Sequence, residues 1–165
     1  MNHMKRMLSY LLMAMTMTWL TGCDFCAKDG DWDPMKWANT NYKMSKHNGQ
    51  HTYVVPQEGG TLTFCCKNYQ GFWLTDMRYY DENGKTVEVT HEGILWGDNT
   101  WEAYPDSLET DWRTLSNDWC TAKAEDGGIF NVTFQPNTSD ARYLTVGLQA
   151  GDTFYTFYFE QEGKE

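Results

Sequence analysis

Positive charge, histidine and helix-period segments are all scarce in this chain of 165 residues. Lys and Arg number 13 against 23 Asp and Glu, for a formal net charge of -10. Such a balance argues against a nucleic-acid partner and against electrostatic attachment to anionic lipid, since both need a basic surface. Beyond the first 22 residues the only histidines are His47, His51 and His91. His91-Glu92 lacks the second His four positions on that a metalloprotease helix requires. No G-x-S-x-G elbow occurs, and past Cys26 no C-x-x-C pair offers a structural zinc site. Carboxylate pairs for sugar hydrolysis, such as Glu92 with Glu102 or Asp106, arise by chance among this many acids and carry no specificity. Cys120 with a distant His is a formal nucleophile pair, but a buried thiol is the commoner role. The expectation is a protein that is not an enzyme and uses no metal or cofactor.

The N-terminus has the layout of an export signal. Lys5 and Arg6 precede a mostly apolar run from Leu8 to Leu20, too short to span a bilayer as a stable helix. Leu20-Thr21-Gly22-Cys23 follows and resembles a bacterial lipobox. The resemblance implies cleavage before Cys23, lipid on its thiol and a membrane partner through that lipid. Acyl chains hold a protein at a membrane by about 0.8 kcal/mol per buried methylene. Asp24, Asp29, Asp31 and Asp33 crowd behind the anchor. The run loosely resembles a Bacteroidetes surface-export signal, which implies an outer-membrane, surface-exposed address. The same acids imitate the start of a calcium loop. However, Pro34 stands where that loop turns on glycine, and Thr40 where it needs a bidentate Glu. Residues 1–22 are thus read as signal peptide, 23–48 as lipidated tether and 49–165 as the domain. Trp32 and Trp37 are too apolar to trail in solvent, so the tether is expected to lie along the domain and pair with its edge.

From Gln50 on, the pattern has period two. Leu62, Phe64 and Cys66 share one face of a strand, as do Phe130, Val132 and Phe134, and Leu144, Val146 and Leu148. Tyr155, Phe157 and Phe159 alternate less cleanly, because Phe154 and Tyr158 make the opposite face aromatic too. Turn signals separate the runs, and Asn83-Gly84 predicts a hairpin with a type I′ turn. Short strands at this spacing predict an all-β antiparallel sandwich.

The series V-P-Q-E-G-G-T-L-T-F, Asn117-Asp118-Trp119, Gly127-Gly128, Asn137, Arg142 and a closing Q-E-G resembles a BACON-type domain over about Thr52 to Gly163. These are immunoglobulin-like β-sandwiches frequent in Bacteroidetes lipoproteins and glycan-degrading systems. The resemblance implies a single immunoglobulin-like sandwich that binds glycans or mucin-type glycoproteins. The alternative is a structural or assembly module that contacts envelope proteins and has no small ligand. An inter-sheet bridge of the immunoglobulin kind suits Cys66 and Cys120 if Cys120 faces inward. Cys65 points to the other face, and buried free thiols are the competing reading.

Residues 76–116 exceed what such a domain needs and read as an aromatic-rich insertion. Trp96, Trp101, Tyr104 and Trp112 fall there with Asp98 and Glu102. Rings stack on sugar faces and carboxylates hold hydroxyls, so these six are the expected ligand site. Packing of a long loop is the competing explanation for the same rings.

Overall fold

The structure is a computed structural model that describes residues 33–104 and 111–164. The signal peptide, Cys23, Trp32 and Asp106 lie outside the described residues. The strands are β1 (Met44–His47), β2 (Gln50–Val55), β3 (Gly60–Cys65), β4 (Trp73–Tyr80), β5 (Thr86–Val89) and β6 (Gly93–Leu95). They continue with β7 (Trp101–Ala103), β8 (Thr114–Ser116), β9 (Cys120–Glu125), β10 (Ile129–Phe134), β11 (Arg142–Ala150) and β12 (Thr153–Gln161). Among the described residues there is no helix.

An eight-stranded sheet in the order β1-β2-β12-β11-β4-β5-β6-β7 and a four-stranded sheet in the order β3-β10-β9-β8 make an all-β fold consistent with a β-sandwich. The alternating residues behave as their period requires. Leu62, Phe64, Phe130, Val132, Phe134, Leu144, Val146, Leu148, Phe157 and Phe159 are all buried. Phe64 is packed by Phe157 at 4.5 Å and Tyr53 at 4.8 Å between ring centroids. Pairing departs from a purely antiparallel sandwich at one place: β2 runs parallel to β12. The two are far apart in sequence, so no hairpin turn imposes opposite directions on them.

Residues 33–48 belong to the same compact unit as the strands. Met35 is buried, Trp37 forms a bridge to Cys66, and its ring packs 4.8 Å from Phe157. Asn48 and Gly49, at φ 50° and 82°, make the two-residue turn joining β1 to β2. The type I′ geometry is therefore here and not at Asn83-Gly84. In the latter turn only Gly84 has positive φ, and the Asp81 side chain accepts from Asn83 N and Lys85 N. That carboxylate holds a longer loop, which relieves Asn83 of any need for a left-handed backbone.

The described residues of 76–116, which leave out 105–110, form part of the two sheets. They complete β4 and build β5 to β8, with three of these strands widening the large sheet.

Of the two readings left open for Cys66 and Cys120, the bridge is not formed. Cys65, Cys66 and Cys120 are free. Both Cys66 and Cys120 are buried, but Cys120 pairs with Phe134, which pairs with Gly60 at the far end of β3 from Cys65. Cys66 is six residue steps from Gly60, roughly 20 Å along the strand direction, whereas a disulfide needs Cα atoms within about 7 Å. Burial also pushes the Cys120 thiol well above its ordinary range, against a smaller opposing pull from Arg142. Native-state thiol labelling with peptide mapping should therefore modify exposed Cys65 and spare Cys66 and Cys120 until the chain is denatured. A Cys66–Cys120 cross-linked peptide would contradict the strand register.

Several of the residues that carry the family resemblance meet at one end of the two sheets. Gln161 is fully buried, and its amide donates to Gln135 O at 2.8 Å and to Pro56 O and Gln57 O at 3.3 Å. Its Oε1 accepts from Arg142 Nε at 2.9 Å, and the Arg142 guanidinium lies 4.1 Å over the Trp119 ring. Buried Asn137 donates to Asp140 O and Glu162 O. These groups pair backbone polar atoms where the chain crosses between sheets, so their role is to hold the sandwich.

Candidate functional site

Five of the six residues singled out by sequence lie on or at the ends of the short β6–β7 hairpin, and Trp112 lies beyond it, just before β8. Trp96 begins its turn, with Trp96 N donating to Thr100 O. Asp98 Oδ1 accepts from Thr100 N at 2.9 Å. Hydrogen bonding to Thr100, side chain first, holds the Asp98 carboxyl below its usual range. Trp101 pairs with Leu95 and is 45% exposed, and Glu102 pairs with Ile94. Tyr104 lies at the opposite end, where its N–H reaches Glu92 O. Trp112, 54% exposed, packs its ring 4.7 Å from His91 and gives its carbonyl to Leu74 N. With Gly71, Phe72, Trp73 and Arg113 it lines an apolar cleft of about 580 Å³. Asp98 is thus occupied by its own turn, and the rings form no single platform.

A more developed surface is the outer face of the large sheet. Inner and outer positions alternate along β4, β11 and β12. With Met77, Val146 and Phe157 buried, Arg78, Thr145 and Tyr158 must face out. There Tyr80, Tyr143, Phe154 and Tyr158 line a groove of about 460 Å³, a size usual for small-ligand sites. Tyr80 is 60% and Phe154 66% exposed.

The groove has a floor because of one glycine and one bulge. Pairing of β11 with β4 slips between Gly147 and Leu148, leaving Thr75 as an extra residue. A Cβ on Gly147 would meet Thr75 Oγ1 and Asp76 Oδ1. Glycine therefore lets both polar side chains lie across the strand. Gly147→Val should displace Asp76 and weaken any ligand held there, with the fold retained by circular dichroism.

Polar groups in this face are mutually fixed. Arg78 pairs with Asp76 at 3.2 Å and with Glu88 at 3.2 Å. Tyr143 Oη donates to Glu160 Oε1 at 3.1 Å, and Ser45 Oγ to Glu160 Oε2 at 2.8 Å. Burial, then Glu160, raises the Tyr143 phenol, so it remains a protonated donor at neutral pH. The His47 ring stacks on Tyr143 at 3.9 Å. Preset side chains lose little freedom when a ligand arrives. The legible sign of this face in the sequence is the aromatic pair Phe154 and Tyr158 on the second face of the last strand. Among the described residues no cluster of His, Cys, Asp and Glu is arranged to hold a metal ion.

No family model and no curated protein matches the chain. Among solved structures, the chain is similar to one described as the NMR structure of a protein from Bacteroides thetaiotaomicron. Identity is 26% and the TM-score 0.53, over 87% of this chain and 99% of that one.

Proposed function

We propose that the protein is a lipid-anchored outer-membrane lipoprotein whose immunoglobulin-like, BACON-type sandwich binds glycans or mucin-type glycoproteins without catalysis. The observation that carries this reading is the ring-lined outer groove, with Tyr80, Tyr143, Phe154 and Tyr158 around the fixed Arg78–Asp76–Glu88 polar group. Aromatic faces match the apolar faces of pyranose rings, and preset polar groups match their hydroxyls. The lipobox at Cys23 supports the anchor. The likeness to a Bacteroides protein agrees with the bacterial group that the resemblance implies.

A glycan array and a mucin pull-down, each with wild type, Tyr158→Ala and Tyr80→Ala, test the reading. Each ring variant should lower binding about tenfold with little change in stability. Trp101→Ala, two strands beyond β5 on the same sheet, should bind close to wild type. Well-folded wild type that binds no glycan would overturn the reading.

The alternative, an assembly module for envelope proteins, draws on the apolar cleft between Trp73 and Trp112, because exposed tryptophans favour protein interfaces. In that case Trp112→Ala, and neither tyrosine variant, should lose co-purifying envelope proteins.

A further inference from the structure

Resting on the glycan-binding reading, we infer that the outer groove selects neutral sugar units and rejects those bearing carboxylate or sulfate. Arg78 is the only cationic side chain lining the groove among the described residues. It is already held by two carboxylates, Asp76 on its own strand and Glu88 on β5. Strand register places a third acid, Glu160 of β12, on the same face. Its two oxygens take hydrogen bonds from Tyr143 and Ser45; among the described residues no salt bridge reaches them, and Lys43, the cation acting on Glu160, is held by Glu162. At the margin beside β1, Lys43 is engaged by Glu162 at 2.8 Å. His47 of β1 is covered by the Tyr143 ring.

Among the described residues that line the groove, an incoming anion therefore meets no cation that is not already paired with a carboxylate. It must approach three carboxylates or break an existing ion pair, in a chain whose net charge is -10. Like charges brought together at an interface act against the wrong partner, and counter-ions weaken that effect. A neutral pyranose brings no such penalty. It can stack on Tyr80 or Tyr158 and offer hydroxyls to Thr145, Thr156 and the outer oxygens of the carboxylates.

The test uses the mature full chain with three probes on one scaffold: a neutral mucin-type O-glycan core, its sialylated form, and the methyl ester of that form. The ester keeps the bulk and removes the charge. Wild type should bind the neutral core about tenfold or more tightly than the sialylated form. Esterification should recover most of the loss, and salt should narrow the gap. Glu88→Gln, which frees half of Arg78's pairing, should narrow it at low salt.

Sialylated glycan bound as tightly as the neutral core, with binding lost in Tyr158→Ala, would overturn the selectivity while leaving the groove as the site. An ester bound as poorly as the acid would also overturn it, by showing size to be the cause. Failure of all three probes together with every other neutral glycan would overturn the binding reading itself.

Discussion

Replacing Gln161 by Leu should lower stability by about 3 kcal/mol, seen as a fall in Tm of about 10 °C. The leucine is close in volume, so packing changes little. What it removes is an amide that donates to Gln135 O, Pro56 O and Gln57 O and accepts from Arg142 Nε. Gln161 is fully buried, so water has no route to replace those bonds. Each buried polar group left without a partner costs about 1–3 kcal/mol. Gln135 O keeps the Arg142 Nη2 donor at 3.1 Å, which limits the loss. Chemical denaturation checks the value. A change below about 0.5 kcal/mol, the range of ordinary surface substitutions, would mean that these contacts do not hold the sheets together.

A similar loss, about 3 kcal/mol, is expected for Gly59→Ala, from two causes that separate experimentally. Gly59 has φ 76°, and a left-handed backbone costs an alanine about 1–2 kcal/mol. A Cβ there would also collide with the main-chain oxygen of Phe134. Backbone on both sides cannot rotate away as a side chain can. The turn that carries the chain from β2 in one sheet to β3 in the other would have to shift. Gly84 is the control: its φ is 74°, but an added Cβ meets nothing within 4 Å. Gly84→Ala should lose only the conformational part. Equal losses at the two glycines in parallel thermal melts would remove the collision from the account.

The sheets were legible because alternation of apolar and polar residues is a local property. Phe130, Val132 and Phe134, or Leu144, Val146 and Leu148, declare a buried face without reference to the rest of the chain. Pairing partners and register are not local. Cys66 and Cys120 both face the core, yet register alone puts them at opposite ends of the small sheet. The parallel neighbour of β2 was hidden for the same reason, since β12 is the last strand.

The candidate surface was harder to read. Trp96, Trp101, Tyr104 and Trp112 are close in sequence, but the β6–β7 hairpin separates them. Tyr80, Tyr143, Phe154 and Tyr158 come from three strands and only their sheet gathers them. The motifs of the family resemblance told more of the fold than of the ligand. Gln161, Arg142, Asn137 and Gly59 serve the crossing between sheets, and none of them lines the outer groove.

The most direct test of the central claim is a residue-resolved NMR titration of the isotope-labelled soluble chain from Trp32 onward with a neutral mucin-type O-glycan core. The account predicts shift changes concentrated at the outward residues of β4, β11 and β12, above all Arg78, Tyr80, Tyr143, Thr145 and Tyr158. Changes confined to Trp73 and Trp112, or to the β6–β7 turn around Asp98, would contradict it and move the site to the other end of the sheet or to its edge.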